Sequence, residues 1–336
     1  MKYIAILAAV VAVGALLVSN MSSTSTNDVL FQQFITEHSR NYATVEEYDM
    51  RMTIFSEQIK KADEHNKQGK GWTMGVNQYS DWTDEEYQRL LGLKNFRNAN
   101  SNLPLAPLKV NPLNTKEDLD WRNYPGFVGP VLNQGSCGSC WAFSAAQAVA
   151  GSYFKSYRKV VDVSRSNAVD CDFFSHGCNG GLQENAYIHW MRHPFRTEGD
   201  YPYVAKDRTC QEDSIKSTMP LIKTAFRVDV GDDLLYEALK HQPVSISIRA
   251  ENDGFRQYTG GVVDVANDCG VDIDHAVLLV GYNSFDNAWI VKNSWGDSWG
   301  ENGYVRIKRE GGKGICGINQ QNSIPVFIDD WEPMNV

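Results

Sequence analysis

Seven cysteines stand at positions 137, 140, 171, 178, 210, 269 and 316, and the chain has none before residue 137. An odd number cannot all pair, so at least one thiol stays free. Whether the others pair depends on the compartment, and the N-terminus speaks to that. It reads "MKYIAILAAVVAVGALLVSN": Lys2 precedes an unbroken apolar run from Ile4 to Val18. That run, about fifteen residues, is short for a membrane span and fits the core of a secretory signal peptide. The expectation is a signal peptide over residues 1–22, cut between Val18 and Ser25. No later stretch is long and apolar enough to span a bilayer. Passage through an oxidising compartment permits disulfides. The cysteine-free first third is then chemically distinct from the rest.

The two parts also differ in pattern. Residues 28–96 are polar, charged and free of Pro and Cys, and "EEYDMRMTIFSEQIKKADEHN" has helical spacing. Met50, Ile54 and Ile59 alternate with charges there, Arg51 and Phe55 lie one turn apart, and the helix should end near Asn66 or Gly69. Residues 98–114, "NANSNLPLAPLKVNPLN", lack periodicity and read as an exposed linker, the kind of segment proteases cut. From Asp120 onward glycines, aromatics and short strands take over. Cys140 to Tyr157 reads as a buried helix, and "PVSISIRA" (243–250), "HAVLLVGY" (275–282), "NAWIVKNSW" (287–295) and "GYVRIKRE" (303–310) read as strands. Helices first and strands second predict an α+β protein in two layers or lobes. The formal charge of −9 falls mostly beyond residue 114, where 29 acidic face 21 basic residues, a difference of −8 with no basic stripe. Such a surface is a poor fit to nucleic acid.

Chemistry concentrates in "NQGSCGSCWAFSAA", residues 133–146, with two cysteines three apart. A redox pair needs both thiols free. A zinc site needs further ligands at close spacing, which neither Cys171 and Cys178 nor any histidine pair supplies. A nucleophile beside a structural cysteine fits better. Cys140 opens a helix, where unpaired N–H groups and the helix dipole favour an anion and so a thiolate. His275 opens an apolar strand and could act as its base. Asn293 follows a strand and could accept the imidazole N–H, and Gln134 could donate to an oxyanion beside the Cys140 backbone N–H.

With these residues in order, the chain resembles the papain family of cysteine proteases, cathepsin L-like, in precursor form. Cys137-Gly138-Ser139-Cys140-Trp141 carries the local signature, and "DWR" (120–122), "GCNGG" (177–181), "DHAVLLVGY" and "KNSWGDSWGENGY" follow in the family's order. The first third matches too. The family's pro-region helix carries Glu, Arg, Phe, Asn, Ile and Asn at fixed spacing, and here these positions read Glu47, Arg51, Phe55, Gln58, Ala62 and Asn66. "GVNQYSD", Gly75 to Asp81, matches a second pro-region motif with Tyr79 in place of Phe. One departure lies after the central helix, where the family's Ser-Glu-Gln is Ser164-Arg165-Ser166.

The resemblance implies a papain-like α+β fold, with a helical left lobe and a β-barrel-like right lobe, preceded by a helical pro-region. It divides the chain into residues 1–22, an inhibitory pro-region 23–114 and a peptidase domain 115–336. It makes Cys140 the nucleophile, His275 the base and acid, Asn293 the orienting residue and Gln134 the oxyanion donor, with Trp295 shielding the His275–Asn293 pair. It pairs Cys137 with Cys178, Cys171 with Cys210 and Cys269 with Cys316. Gly180 and Gly181 would bind substrate backbone. Asp274 would join them, and Leu182, Ala276 and Gln321 would line the pocket for the side chain two residues before the cut, with Gln321 on its floor. It implies an endopeptidase with no cofactor and no metal, acting on proteins and peptides. Its partners would be its own pro-region and cystatin-like inhibitors, and it would be a monomer in a lysosome-like compartment or outside the cell. Two other classes stay open at this point: a silent peptide-binding homologue, and a disulfide reductase using Cys137 and Cys140 together.

Overall fold

The computed structural model describes residues 26–93, 103–110 and 116–328. The expected signal peptide and the last eight residues lie outside them. Among the described residues no helix is long and apolar enough to cross a membrane.

Helices α1 (Thr26–Glu37) and α2 (Val45–Asn66) open the described chain. Thr44 caps α2 by accepting from the Glu47 N–H. The two helices share a small aromatic core in which Phe31, Phe34 and Phe55 are buried. The inward face of α2 carries Phe55, Gln58, Ala62 and His65, all buried, whereas Met50 is 43% exposed. The helix docks by polar contacts and close approach on that face. Gln58 Nε2 donates to Asp253 Oδ1 at 3.3 Å, and Asn66 donates to the Met74 carbonyl (2.8 Å) while accepting its N–H (3.0 Å). Asn66 thereby fixes strand β1 (Trp72–Met74), which pairs antiparallel with β5 (Tyr258–Val263) and extends the main sheet.

After the two-residue strand β2 (Leu119–Asp120), the left lobe is built on α4 (Cys140–Tyr157), with α5 (Arg165–Cys171) and α6 (Gln183–Trp190) against it. Helix α3 (Asp84–Gln88) precedes them in the pro-region. Small residues make α4 narrow enough to be covered on nearly all sides: Ala142, Ala145, Ala146 and Ala148 are all buried. Its far side meets β6 (His275–Asn283), so Cys140, Ala276 and Leu278 share one core. Ser144 Oγ bonds the Ser245 hydroxyl and the Val277 carbonyl, both at 2.6 Å, across the same junction.

The right lobe is a sheet in the order β1-β5-β8-β7-β6-β4-β9-β3, with β2 pairing β6 off that path. Its remaining strands are β3 (Thr224–Val228), β4 (Val244–Ile248), β7 (Ala288–Lys292), β8 (Tyr304–Lys308) and β9 (Asn322–Val326). The path runs from β1 to β3 without closing, so among the described residues the lobe is a strongly covered open sheet rather than a barrel. Disulfides join Cys137 to Cys178, Cys171 to Cys210 and Cys269 to Cys316. Part of the linker also differs from its expected exposure. Leu103 is buried in the left-lobe core, and the Ala106 N–H donates to the Arg227 carbonyl at 2.8 Å while Arg227 donates to the Pro104 carbonyl at 2.9 Å. The cause is β3, an edge strand whose unpaired groups accept a passing chain.

Four charged groups hold the pro-region's turn beside the cleft. Arg51 pairs with Glu86 and donates to the Asp81 carbonyl, and Arg40 pairs with the Asp81 carboxylate at 3.0 Å. The Arg51 guanidinium holds the Glu86 carboxyl below its ordinary value of 4.5. A carboxyl depressed in the folded state stabilises it above its unfolded pKa, and that contribution is lost as pH falls through the folded value. The pro-region should therefore loosen below about pH 4.5, and Glu86→Gln should remove part of the hold already near neutrality. Limited proteolysis of the precursor across pH checks this. Identical acid profiles for the two proteins would exclude Glu86 from the hold.

Candidate active site

Cys140 begins α4 and is the free cysteine among the described residues. His275 begins β6, and Asn293 follows β7, which pairs antiparallel with β6 with a register shift between Leu279 and Gly281. That pairing brings the two side chains together: His275 Nε2 lies 2.8 Å from Asn293 Oδ1. The bond leaves His275 Nδ1 without a hydrogen-bond partner, as the nitrogen able to exchange a proton. The Trp295 ring lies over the imidazole, 4.7 Å between centroids, and both residues are fully buried. The Cys140 thiol lies at the helix start, with the backbone N–H groups of Ala276, Gly92 and Trp141 directed at it.

Gln134 completes the cluster. Ser294 Oγ donates to its Oε1 at 2.7 Å and so points the amide nitrogen inward. That nitrogen donates to the Cys137 carbonyl at 2.8 Å and to the carbonyl of Leu90, a pro-region residue, at 2.9 Å. Residues 90–93 continue along the cleft as backbone. The Gly181 N–H donates to the Gly92 carbonyl and the Leu93 N–H to the Asp274 carbonyl, each at 3.0 Å. Gly180 explains the closeness: a Cβ built on it would stand 2.1 Å from the Gly92 carbonyl oxygen, and its φ of +115° lies where side chains are rarely tolerated. The Leu93 side chain packs with Leu182 and Ile273.

This cover sets the charge state beneath it. Burial pushes the Cys140 thiol up to about 11 and pulls the His275 imidazole down to about 4, against which the Asn293 bond works. Both shifts favour the neutral forms, with the Gly92 N–H working against the rise at Cys140. Tyr79 and Tyr87 of the pro-region close over Trp295 at 5.5 and 5.6 Å, and Gln78 donates to the Trp295 carbonyl.

The remaining sequence candidates divide. Ala276 packs in the α4–β6 core. The Asp274 carboxylate accepts from the Ala250 and Glu251 N–H groups and pairs with Arg249, while its backbone carbonyl accepts from the Leu93 N–H. Gln321 Nε2 reaches Glu184 Oε2 at 3.4 Å. Sequence reasoning missed Glu184 and its neighbour Gln183, which donates to Ser247 Oγ at 3.0 Å. Glu184 is fully buried, and burial pushes its carboxyl up to about 7. Three polar residues in a row, Gln183 to Asn185, at the start of the helix were the signal available in the sequence.

A buried thiol lying under the chain's own extended backbone is the arrangement of a thiol peptidase kept latent. The chain belongs to the papain family of cysteine proteases and is made as a proenzyme. Residues 115–326 match the model of the papain family cysteine proteases, and residues 31–87 that of the cathepsin propeptide inhibitor domain. It is 40% identical over 306 residues to "Cysteine protease XCP2" of Arabidopsis thaliana, covering 88% of this chain and 85% of that one. With "Papaya proteinase 4" of Carica papaya it shares 35% over 317 residues, 91% and 89% of the two chains. Among solved structures, the proform of the ragweed pollen cysteine protease Amb a 11 is 31% identical and superposes with a TM-score of 0.80 over 90% of this chain and 95% of that one.

Gly92 generates a prediction. A Cβ there would stand 1.9 Å from the Gly138 carbonyl oxygen, so Gly92→Ala must lift the segment off the cleft. Alkylation of Cys140 in the precursor should speed up about tenfold, the equivalent of ~1.4 kcal/mol of lost pro-region affinity. An unchanged labelling rate would mean that the segment does not seal the thiol.

Proposed function

We propose that the mature enzyme is an endopeptidase that cleaves by acyl transfer through Cys140, His275 and Asn293. The observation that carries this reading is the Leu90 carbonyl resting on the Gln134 side-chain nitrogen, a peptide carbonyl already seated on an oxyanion donor. With the pro-region gone, the cleft rehydrates and the proton of Cys140 passes to His275 Nδ1. The thiolate attacks the scissile carbonyl carbon. A C–S bond forms, and the oxyanion accepts from Gln134 Nε2 and the Cys140 backbone N–H. The imidazolium gives its proton to the leaving amine as the C–N bond breaks. Water then loses a proton to His275 and attacks the thioester, releasing the acid and restoring the thiol. Asn293 keeps the ring turned and Trp295 keeps water from their bond. No step calls for a metal or cofactor.

The same reading assigns residues 1–22 to a signal peptide, 23–114 to the pro-region and 115–336 to the peptidase, on a secretory route to an acidic compartment or to the exterior. Gly180 and Gly181 would hold substrate backbone, as Gly181 now holds Gly92. Leu182 would offer an apolar wall to the side chain two residues before the cut, as it now does to Leu93, with Ala276 as the second wall and Gln321 as the floor.

Cys140→Ala should abolish peptide hydrolysis by several orders of magnitude while the protein folds, because the other residues act through that thiol. Full activity in the variant would overturn the assignment. In the pocket, Leu and Phe should be preferred two residues before the cut. Gln321→Ala should widen acceptance of large apolar groups, since it removes a polar floor whose burial unpaired costs about 1–3 kcal/mol. A substrate panel varied only at that position reads the effect, and an unchanged panel removes Gln321 from the pocket.

A further inference from the structure

Further along α4 from Cys140 lies a second cavity, of about 180 Å³, that the reaction does not use. Phe127, Val128, Val161, Ala146 and Leu278 supply apolar walls, and Ala150 of α4 also faces it. Three charged residues line it: Lys292, Arg165 and Asp162. Lys292 ends β7, directly before Asn293, and is 1% exposed. Its ammonium donates to the carbonyls of Gly129 (2.8 Å) and Pro130 (2.7 Å), and no carboxylate pairs with it among the described residues. Two carbonyls satisfy hydrogen bonds but carry no countercharge, and a buried charge without one is costly.

The nearby carboxylates serve another cation. Asp162, which is largely exposed, and Glu198, at 3.0 Å, both pair with Arg165. Arg165 is 5% exposed, and its Nε has no hydrogen-bond partner. It stands at the position where the family resemblance led one to expect a glutamate, so the chain supplies a cation where an anion would have been at hand. An apolar cavity of about 150 Å³ holds benzene. This one is larger and has a buried ammonium in its wall.

We propose that this cavity binds a small monocarboxylate with an apolar body, of the size of benzoate, whose carboxylate accepts from Lys292 Nζ while its body fills the apolar walls. The ligand would tie together α4 and β7, the elements that present Cys140 and Asn293, and so brace the joint between the lobes. Burial pulls the Lys292 ammonium down to about 7, with Arg165 lowering it further and Asp162 opposing. A carboxylate alongside favours the charged form, so binding takes up a proton near and above neutrality and weakens as pH rises. Nothing in this depends on the cleft or on turnover.

The test uses the full-length precursor carrying Cys140→Ala, which does not process itself, with benzoate as the probe and benzamide as its uncharged analogue. Benzoate at ten times its dissociation constant should raise the melting temperature by about 2–4 °C near pH 6 and by less near pH 8.5. Benzamide should do nothing. Lys292→Met removes the cation, and Ala150→Glu places a carboxylate in the cavity and fills it, so each should abolish the shift. If Lys292→Met does not fold, Ala150→Glu decides. No shift with benzoate, an equal shift with benzamide, a shift indifferent to pH, or one that survives Ala150→Glu would each overturn the proposal.

Discussion

The latent state depends on the burial of Cys140 and His275 beneath the backbone of residues 90–93. A thiol and an imidazole in water near neutrality exchange a proton readily when a helix N-terminus favours the thiolate. Taken out of water, each keeps its neutral form, because burial penalises any charge that lacks a strong partner. The opposing displacements, the thiol up to about 11 and the imidazole down to about 4, have burial as their shared largest cause. Inhibition therefore has an electrostatic part as well as a steric one. The segment fills the cleft, and it also withholds the solvation that an ion pair would need.

Everything around the segment serves to hold it there. Strand β1 adds to the edge at β5, so the pro-region borrows the sheet of the domain it inhibits. Arg256 of the peptidase is 1% exposed and donates to the carbonyls of Tyr79 and Trp82, with the Tyr87 ring 5.2 Å from its guanidinium. The contacts on the other side, Arg51 to Glu86 and Arg40 to Asp81, lie within the pro-region and fix its turn. A charge pair inside the inhibitor and a buried arginine from the enzyme thus bear on the same short stretch. Acid weakens the first through Glu86 and leaves the guanidinium charge of the second intact.

Much of this was legible in the sequence, and unevenly so. The helix from Cys140 and the strands at 244–248, 275–283, 288–292 and 304–308 stand where the patterns put them, because apolar runs with clear boundaries need little help from distant partners. Strands β3 and β9 were not anticipated. They are short and depend on each other across the fold. In α2 the spacing marked a helix but not its docking face, which uses Gln58, Ala62 and Asn66, positions that the family resemblance singled out and that apolar spacing does not. Gln321 was read as a pocket residue, but the burial of Glu184 behind it was not legible, as a buried carboxyl is defined by what covers it. The same holds for Lys292, whose isolation from carboxylates is a property of packing alone.

The central claim is that the pro-region holds Cys140 and His275 neutral by burying them. A titration of thiolate absorbance, carried out on the precursor and on the enzyme freed of its pro-region, measures it directly, with Cys140→Ala as the blank. The precursor should show no Cys140 thiolate below about pH 9–10, whereas the freed enzyme should show one in the acid-to-neutral range. If the two curves superpose, with a thiolate already present in the precursor near neutrality, burial does not control the pair and the latent state is steric alone.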